Sequence, residues 1–158
     1  MRIGVVSDTH GKPEFLRKAL QQMGHIDLLI HAGDHYRDAL SLGKETGLRV
    51  TAVAGNCDWD TAGPLEQVLE IEGRRILVVH GHLYGVKSGS QKLAKTLQDG
   101  SYDLIIYGHS HMPEITSLPQ GYLLNPGSLA SPRRGSKRSY GIVEIDKNKV
   151  APFIYELK

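Results

Sequence analysis

The chain has 158 residues, 40% hydrophobic and 23% charged, which suits one domain with a sizeable core and excludes disorder, collagen and coiled coil. Lys and Arg number 19 against 17 Asp and Glu, a formal net charge of +2 that gives no strong nucleic-acid signature. A single cysteine, Cys57, cannot form an internal disulfide; Met1-Arg2-Ile3-Gly4-Val5-Val6-Ser7-Asp8 is no signal peptide, and no apolar run approaches the roughly 18 residues of a membrane helix, so a soluble cytoplasmic protein is expected.

Ile3 to Val6 is a short apolar run that meets Ser7-Asp8, the pattern of a strand buried on both faces. Leu16, Leu20 and Met23 follow at helical spacing, bracketed by Pro13 and Gly24. Asp27 to His31 repeats the strand signal and runs into Ala32-Gly33-Asp34; a helix over Asp38 to Glu45 and a strand over Leu48 to Val53 come next, the latter ending in Gly55-Asn56-Cys57-Asp58. The order β-α-β-α-β predicts parallel pairing, with any ligand beyond the carboxyl ends of the strands. Val68 to Glu72 and Arg75 to Val79 flank Gly73-Arg74 as a hairpin whose second strand ends in His80-Gly81-His82. Leu93, Ala94 and Leu97 mark another helix, and Leu104 to Tyr107 a strand ending in Gly108-His109-Ser110-His111. Ile115 to Leu118, Tyr122 to Leu124, Tyr140 to Ile145 and Val150 to Tyr155 alternate with turn residues, which predicts an antiparallel second half.

Five strand ends thus deliver metal-ligand residue types: Asp8 and His10, Asp34, Asn56, His80, and His109 with His111. Carboxylates, an amide oxygen and imidazoles on one sheet edge match the mixed oxygen and nitrogen shell of a first-row divalent metal. In an extended segment residues two apart point the same way, so Asp8 and His10 can reach one ion, and His109-Ser110-His111 repeats the spacing. Gly33, Gly55, Gly81 and Gly108 allow sharp turns or close backbone approach.

The series Asp8-x-His10, Gly33-Asp34, Gly55-Asn56-Cys57-Asp58, His80-Gly81 and Gly108-His109-x-His111 resembles the calcineurin-like metallophosphoesterase family. The short length, the Gly-Asn-Cys-Asp variant and Asn125-Pro126-Gly127-Ser128 are similar to its small bacterial and archaeal phosphodiesterases. The resemblance implies an α/β (α+β) fold, a four-layer α-β-β-α sandwich over residues 1–158. It also implies two divalent ions: Asp8, His10 and His111 on one, Asn56, His80 and His109 on the other, and Asp34 bridging. A hydroxide between the ions would attack phosphorus. Manganese is the first choice of metal, with nickel, iron, zinc and cobalt also admitted by the ligand set. Many relatives carry a histidine after the Asn56 position, where this chain has Cys57; a thiol is a poorer general acid, so rates should depend steeply on leaving-group pKa, and a flat dependence would point to His35 or His82 as the acid.

The remaining candidates have two readings each. His25 beside Gly24 reads as a helix C-terminal residue favoured by the dipole, His31 as a satisfied core histidine, and Cys57 as a packing residue. Trp59 is read as closing its loop by packing rather than stacking on a substrate base. Arg133-Arg134-Gly135-Ser136-Lys137-Arg138 is a solvated loop or a clamp for anionic substrate, and Asn125-Pro126-Gly127-Ser128 is a turn that is either structural or part of the site. Asn56, His82, Arg133 and Arg134 are the candidate substrate contacts. The expected function is hydrolysis of small phosphodiesters. The alternatives are a phosphomonoesterase or a non-catalytic protein-binding scaffold, since a small retromer subunit is similar in fold and serves as an interaction surface. A homo-oligomer is left open.

Overall fold

The computed structural model describes residues 1–59 and 63–158. Its first half follows the expected alternation: β1 (Arg2–Val6), α1 (Pro13–Met23), β2 (Leu28–His31), α2 (Arg37–Thr46) and β3 (Val50–Ala52). Pro13 opens α1, where its missing N–H leaves no bond unmade, and Gly24 closes it at φ 67°. The strands β1, β2 and β3 pair in parallel, with Gly4 beside Leu29 and Ile30 beside Thr51. The third strand is shorter than the Leu48 to Val53 expected for it.

The chain continues through β4 (Glu66–Ile71), β5 (Arg74–Val79), α3 (Gln91–Gln98), β6 (Leu104–Ile106), β7 (Pro113–Leu118), β8 (Gly121–Pro126), β9 (Ser139–Ile145) and β10 (Val150–Glu156). Two five-stranded sheets result, ordered β10-β9-β1-β2-β3 and β4-β5-β6-β8-β7. The expectation of an antiparallel second half holds for the hairpins and for the pairing of β9 with β1, but not for β5, β6 and β8. The helix α3 carries the chain back to the starting end of its sheet, so β5 and β6 run parallel. The inner place beside β6 is then taken by the second strand of the β7–β8 hairpin, again in parallel. The last hairpin returns to the first sheet, where β9 pairs antiparallel with β1. Asn125 and Pro126 belong to β8, and the turn falls at Gly127, φ 79°.

Strand alternation divides the apolar residues among three interfaces. Ile3, Val5, Leu28 and Ile30 of the first sheet meet Ile76, Val78, Leu104 and Ile106 of the second. On the outer face of the first sheet Val6 and Leu29 pack on Leu16, Ala19 and Met23 of α1 and on Ala39 and Leu42 of α2. Leu77, Val79 and Ile105 likewise pack on Leu93 and Leu97 of α3. These are the four layers, helices outside and sheets inside; β1, β2 and β6 are buried along almost their whole length because both faces are covered, whereas β4 and β7 alternate with exposed residues. Among the described residues no helix is long and apolar enough to cross a membrane. The carboxyl ends of β1, β2, β3, β5 and β6 meet at one edge, and the loops leaving them build the site.

Candidate metal centre

Asp8, His10, Asp34 and His111 each place one ligand atom within 4.8 Å of the others, a grouping that can hold a metal ion. Asp8 Oδ1 lies 3.1 Å from His111 Nε2 and 3.9 Å from His10 Nε2, and His10 Nε2 is 3.8 Å from Asp34 Oδ2. A second group adjoins it. His80 Nε2 is 3.1 Å from Asn56 Oδ1, 3.2 Å from His109 Nδ1 and 3.3 Å from Asp34 Oδ1. One carboxylate, Asp34, therefore turns one oxygen toward each group.

The donor set fits a cation, and the hydrogen bonds behind the rings give the reason. His111 Nδ1 lies 2.6 Å from the Ser131 carbonyl, and His80 Nδ1 lies 2.7 Å from the Ala32 carbonyl. A carbonyl only accepts, so each Nδ1 carries its proton outward and, in the neutral ring, each Nε2 turns a lone pair inward. Those lone pairs face the carboxylate oxygens of Asp8 and Asp34 and the amide oxygen of Asn56. Asp8 Oδ1 is buried with no hydrogen-bond partner among the described residues. Acceptors gathered against acceptors in a buried site call for a positive charge between them.

Titration follows the same field. Burial works to lower His80, but the Asp34 hydrogen bond and the charges of Asp8 and Asp34 outweigh it and raise the ring above the ordinary histidine value. Burial works to raise Asp34, and the His80 hydrogen bond and charge with the Cys57 N–H hold it below the usual carboxylate range. His109 is pushed down to about 4 by burial, with His80 and Lys87 adding to the shift. Burial also lowers His10, against the pull of Asp8 and Asp34. Burial and the adjacent Asp34 push the Cys57 thiol up to about 11, which keeps it protonated and suits a packing residue.

The backbone that presents these groups differs from the extended segments expected. Asp8, His10, Asp34, His35, His109 and His111 all have φ between 47° and 67°, the left-handed region that non-glycine residues adopt only under constraint. Each side chain is re-aimed singly: His111 turns toward Asp8, whereas His109, two residues earlier, turns toward His80. Glycine is required where loops press together. A Cβ on Gly55 would collide with Asp34 Oδ1, and one on Gly108 would collide with Ser7 Oγ and sit 2.9 Å from Asp8 Oδ2.

Several supporting residues carried no ligand signature in the sequence. Thr9 Oγ1 sits 3.1 Å from Nε2 of His31, which is fully buried and held near 3 by that burial. Nδ1 of the same ring accepts the Gly33 N–H, so His31 is a satisfied core histidine that also ties down the Asp8-Thr9-His10 loop. Asn125 donates to the Gly108 carbonyl and to Ser110 Oγ, and Ser128 donates to the Asp8 carbonyl while accepting from the N–H groups of Ala130 and Ser131. The Asn125 to Ser128 segment is thus a structural brace behind the ligand loops. The available signal was a buried-strand pattern ending in small polar residues. Asp58 accepts from the N–H groups of His35 and Gly55 at 2.8 Å each.

Around this pair of groups lie the other candidates. The His35 ring is 5.6 Å from that of His10; the His82 ring is 5.4 Å from His80 and 6.1 Å from His109. His82 Nδ1 is buried with no hydrogen-bond partner among the described residues. Arg133 and Arg134 are exposed, on a loop whose Arg133 N–H reaches the His111 carbonyl at 3.4 Å. His25 is exposed beside Gly24, 3.5 Å from Asp27. Trp59 contradicts its expected packing: it is 89% exposed, because the turn that Asp58 fixes directs the following residue outward.

Residues 1–148 match the model of the calcineurin-like phosphoesterase superfamily domain. The chain belongs to that superfamily. It is 31% identical over 157 residues to the probable metallophosphoesterase YsnB of Bacillus subtilis, covering 99% of this chain and 91% of that one. It is 29% identical over 171 residues to the phosphodiesterase YfcE of Escherichia coli, covering 92% and 89%. Among solved structures, a predicted phosphoesterase from Streptococcus pneumoniae superposes with a TM-score of 0.82 at 29% identity, covering 99% of this chain and 92% of that one. Vacuolar protein sorting 29 of Cryptosporidium parvum superposes with a TM-score of 0.81 at 19% identity, covering 99% and 91%, a likeness of fold. As a member of this metallophosphoesterase superfamily, the chain has a candidate metal site at the edge where its two sheets meet.

Proposed function

We propose that this phosphoesterase is a binuclear, divalent-metal-dependent phosphodiesterase acting on small phosphodiesters. The observation that supports this most directly is the Asp34 carboxylate, with Oδ2 toward His10 and Oδ1 toward His80. Asp8, His10 and His111 would hold one ion, Asn56, His80 and His109 the other, and Asp34 both. When bound, such ions supply Lewis-acid charge for phosphoryl oxygens and acidify water near neutral pH. The protein's own part is to fix that geometry. The Ala32 and Ser131 carbonyls hold the ring tautomers, the braced loops hold the oxygens, and the exposed Arg133 and Arg134 offer guanidinium groups to an anionic substrate.

His82 and His35 stand beside the two ligand groups and are the candidate proton donors to the leaving oxygen, with His82 also a substrate contact through its unpartnered Nδ1. With Cys57 at the adjoining position, activated aryl leaving groups should react far faster than alkoxides. The slope against leaving-group pKa, measured for wild type, His35→Gln and His82→Gln, should steepen in the variant that has lost the working acid.

The deciding experiment compares bis-p-nitrophenyl phosphate with p-nitrophenyl phosphate on metal-stripped protein and after Mn²⁺ addition, then with Ni²⁺, Fe²⁺, Zn²⁺ and Co²⁺. Metal-restored turnover that is faster on the diester and lost in Asp34→Asn is the expected result. Faster monoester turnover would make the protein a monoesterase. Two ions bound with no turnover on either ester would move the assignment to a binding scaffold.

A further inference from the structure

Trp59 is the only tryptophan of the chain and is 89% exposed. A side chain of that size is normally buried for most of its area. Its position is fixed by the site. Cys57 N–H donates to Asp34 Oδ1 at 2.8 Å, and Asp58 accepts from His35 and Gly55, so the two residues before Trp59 are bonded to ligand loops. Two Cα–Cα steps of about 3.8 Å each are all that separate Cys57 from Trp59.

The neighbouring loop repeats the feature. Leu83, three residues beyond His80, is 65% exposed, and Trp59 lies three residues beyond Asn56, while Asn56 Oδ1 and His80 Nε2 are 3.1 Å apart. Two exposed apolar side chains therefore leave from the two loops that meet at one end of the centre. At the other end the loop carrying Arg133 and Arg134 is attached to the His111 carbonyl. The loops at one end of the centre thus carry exposed aromatic and aliphatic side chains and the loop at the other end carries exposed arginines, a combination that suits a substrate with an apolar planar group beside its phosphate.

We propose that Trp59 is a specificity-determining residue that stacks the nucleobase of a small nucleoside phosphodiester seated on the metal centre. A nucleobase is planar, fits an exposed indole face, and can be held there without buried hydrogen bonds. This rests on the phosphodiesterase reading and narrows its substrate class.

Because Trp59 is the sole tryptophan, its emission reports this site alone. Adenosine 5′-monophosphate should quench it saturably, whereas ribose 5-phosphate, with the same phosphate and no base, should not. In turnover, thymidine 5′-(p-nitrophenyl phosphate) and methyl p-nitrophenyl phosphate share a leaving group and differ in the base. The ratio of their KM values should shift about tenfold against the thymidine ester in Trp59→Ala and be largely restored in Trp59→Phe, at equal metal content. An unshifted ratio, or quenching equal for both phosphates, would overturn the proposal and leave the phosphodiesterase reading standing. If wild type with metal hydrolyses neither ester, the phosphodiesterase reading fails. Base-dependent quenching would still support Trp59 as a base platform in that case, and its absence would overturn both.

Discussion

The two ligand groups of the centre share Asp34 and differ in almost everything else. In the group around Asp8 and His111 those two side chains are buried, with exposures of 0% and 5%, His10 is half-buried, and two carboxylates are within reach. The group around His80 opens outward: His80 is buried, but Asn56 is exposed and His109 half-buried, and its one oxygen besides the shared carboxylate is a neutral amide. Charge and burial would hold an ion firmly at the first position, while the second is reached easily from solvent and is the side on which an incoming ester has room. A division of labour follows, with anchorage at one position and access at the other.

Asp34→Asn should damage both positions at once. We expect turnover to fall by about 10³-fold and bound metal, by elemental analysis, to drop below that of wild type; retention of two ions and full activity would break the comparison. Asn56→Ala should strike the open position only, with about one ion retained and a loss of about 10²-fold, and loss of both ions would show the two positions to be interdependent. A third test probes the support beneath the anchored position. His31 titrates near 3 when folded, against 6.5 for a free histidine, so between these values the unfolded chain binds a proton that the folded chain does not. Its contribution to stability is present above pH 6.5 and is lost as pH falls toward 3. In urea denaturation of the metal-stripped protein, His31 by itself should add about 2 kcal/mol to the loss of stability between pH 7 and pH 5, so the loss should be smaller by about that amount in His31→Asn; equal losses would discount His31. The mildest change is expected from Arg133→Gln with Arg134→Gln, a rise in KM of about three- to tenfold with kcat retained. An unaltered KM would make that segment a solvated loop.

Much of this arrangement could be read in the sequence, for a physical reason. Strands covered on both faces must be apolar throughout, so Ile3 to Val6, Asp27 to His31 and Leu104 to Tyr107 announced themselves, and ligand residue types at their ends stood out against that background. Pairing partners were another matter. The apolar runs Tyr122 to Leu124 and Tyr140 to Ile145 are local signals, and they do not say that β8 would lie parallel to β6 or that β9 would return to β1. The backbone at Asp8, His10 and His111 was also hidden, because left-handed geometry is signalled by glycine and these positions need their side chains. Trp59 reads as packing in the sequence because a tryptophan's bulk favours burial, and it is exposed in the fold because it follows the turn fixed by Asp58.

The concentration of left-handed residues around the ligands bears on how the molecule comes apart. Local backbone preference at Asp8, His10, Asp34, His109 and His111 favours release, while the sheets on either side, closed by Ile3, Ile30, Ile76 and Leu104, resist it. Opening should therefore begin at the sheet edge rather than at the termini. In hydrogen exchange the metal-free chain would exchange the amides of these loops well before those of β1 and β6, and added metal would slow the loops selectively. The ions would then act as fasteners that decide which part of the protein breathes.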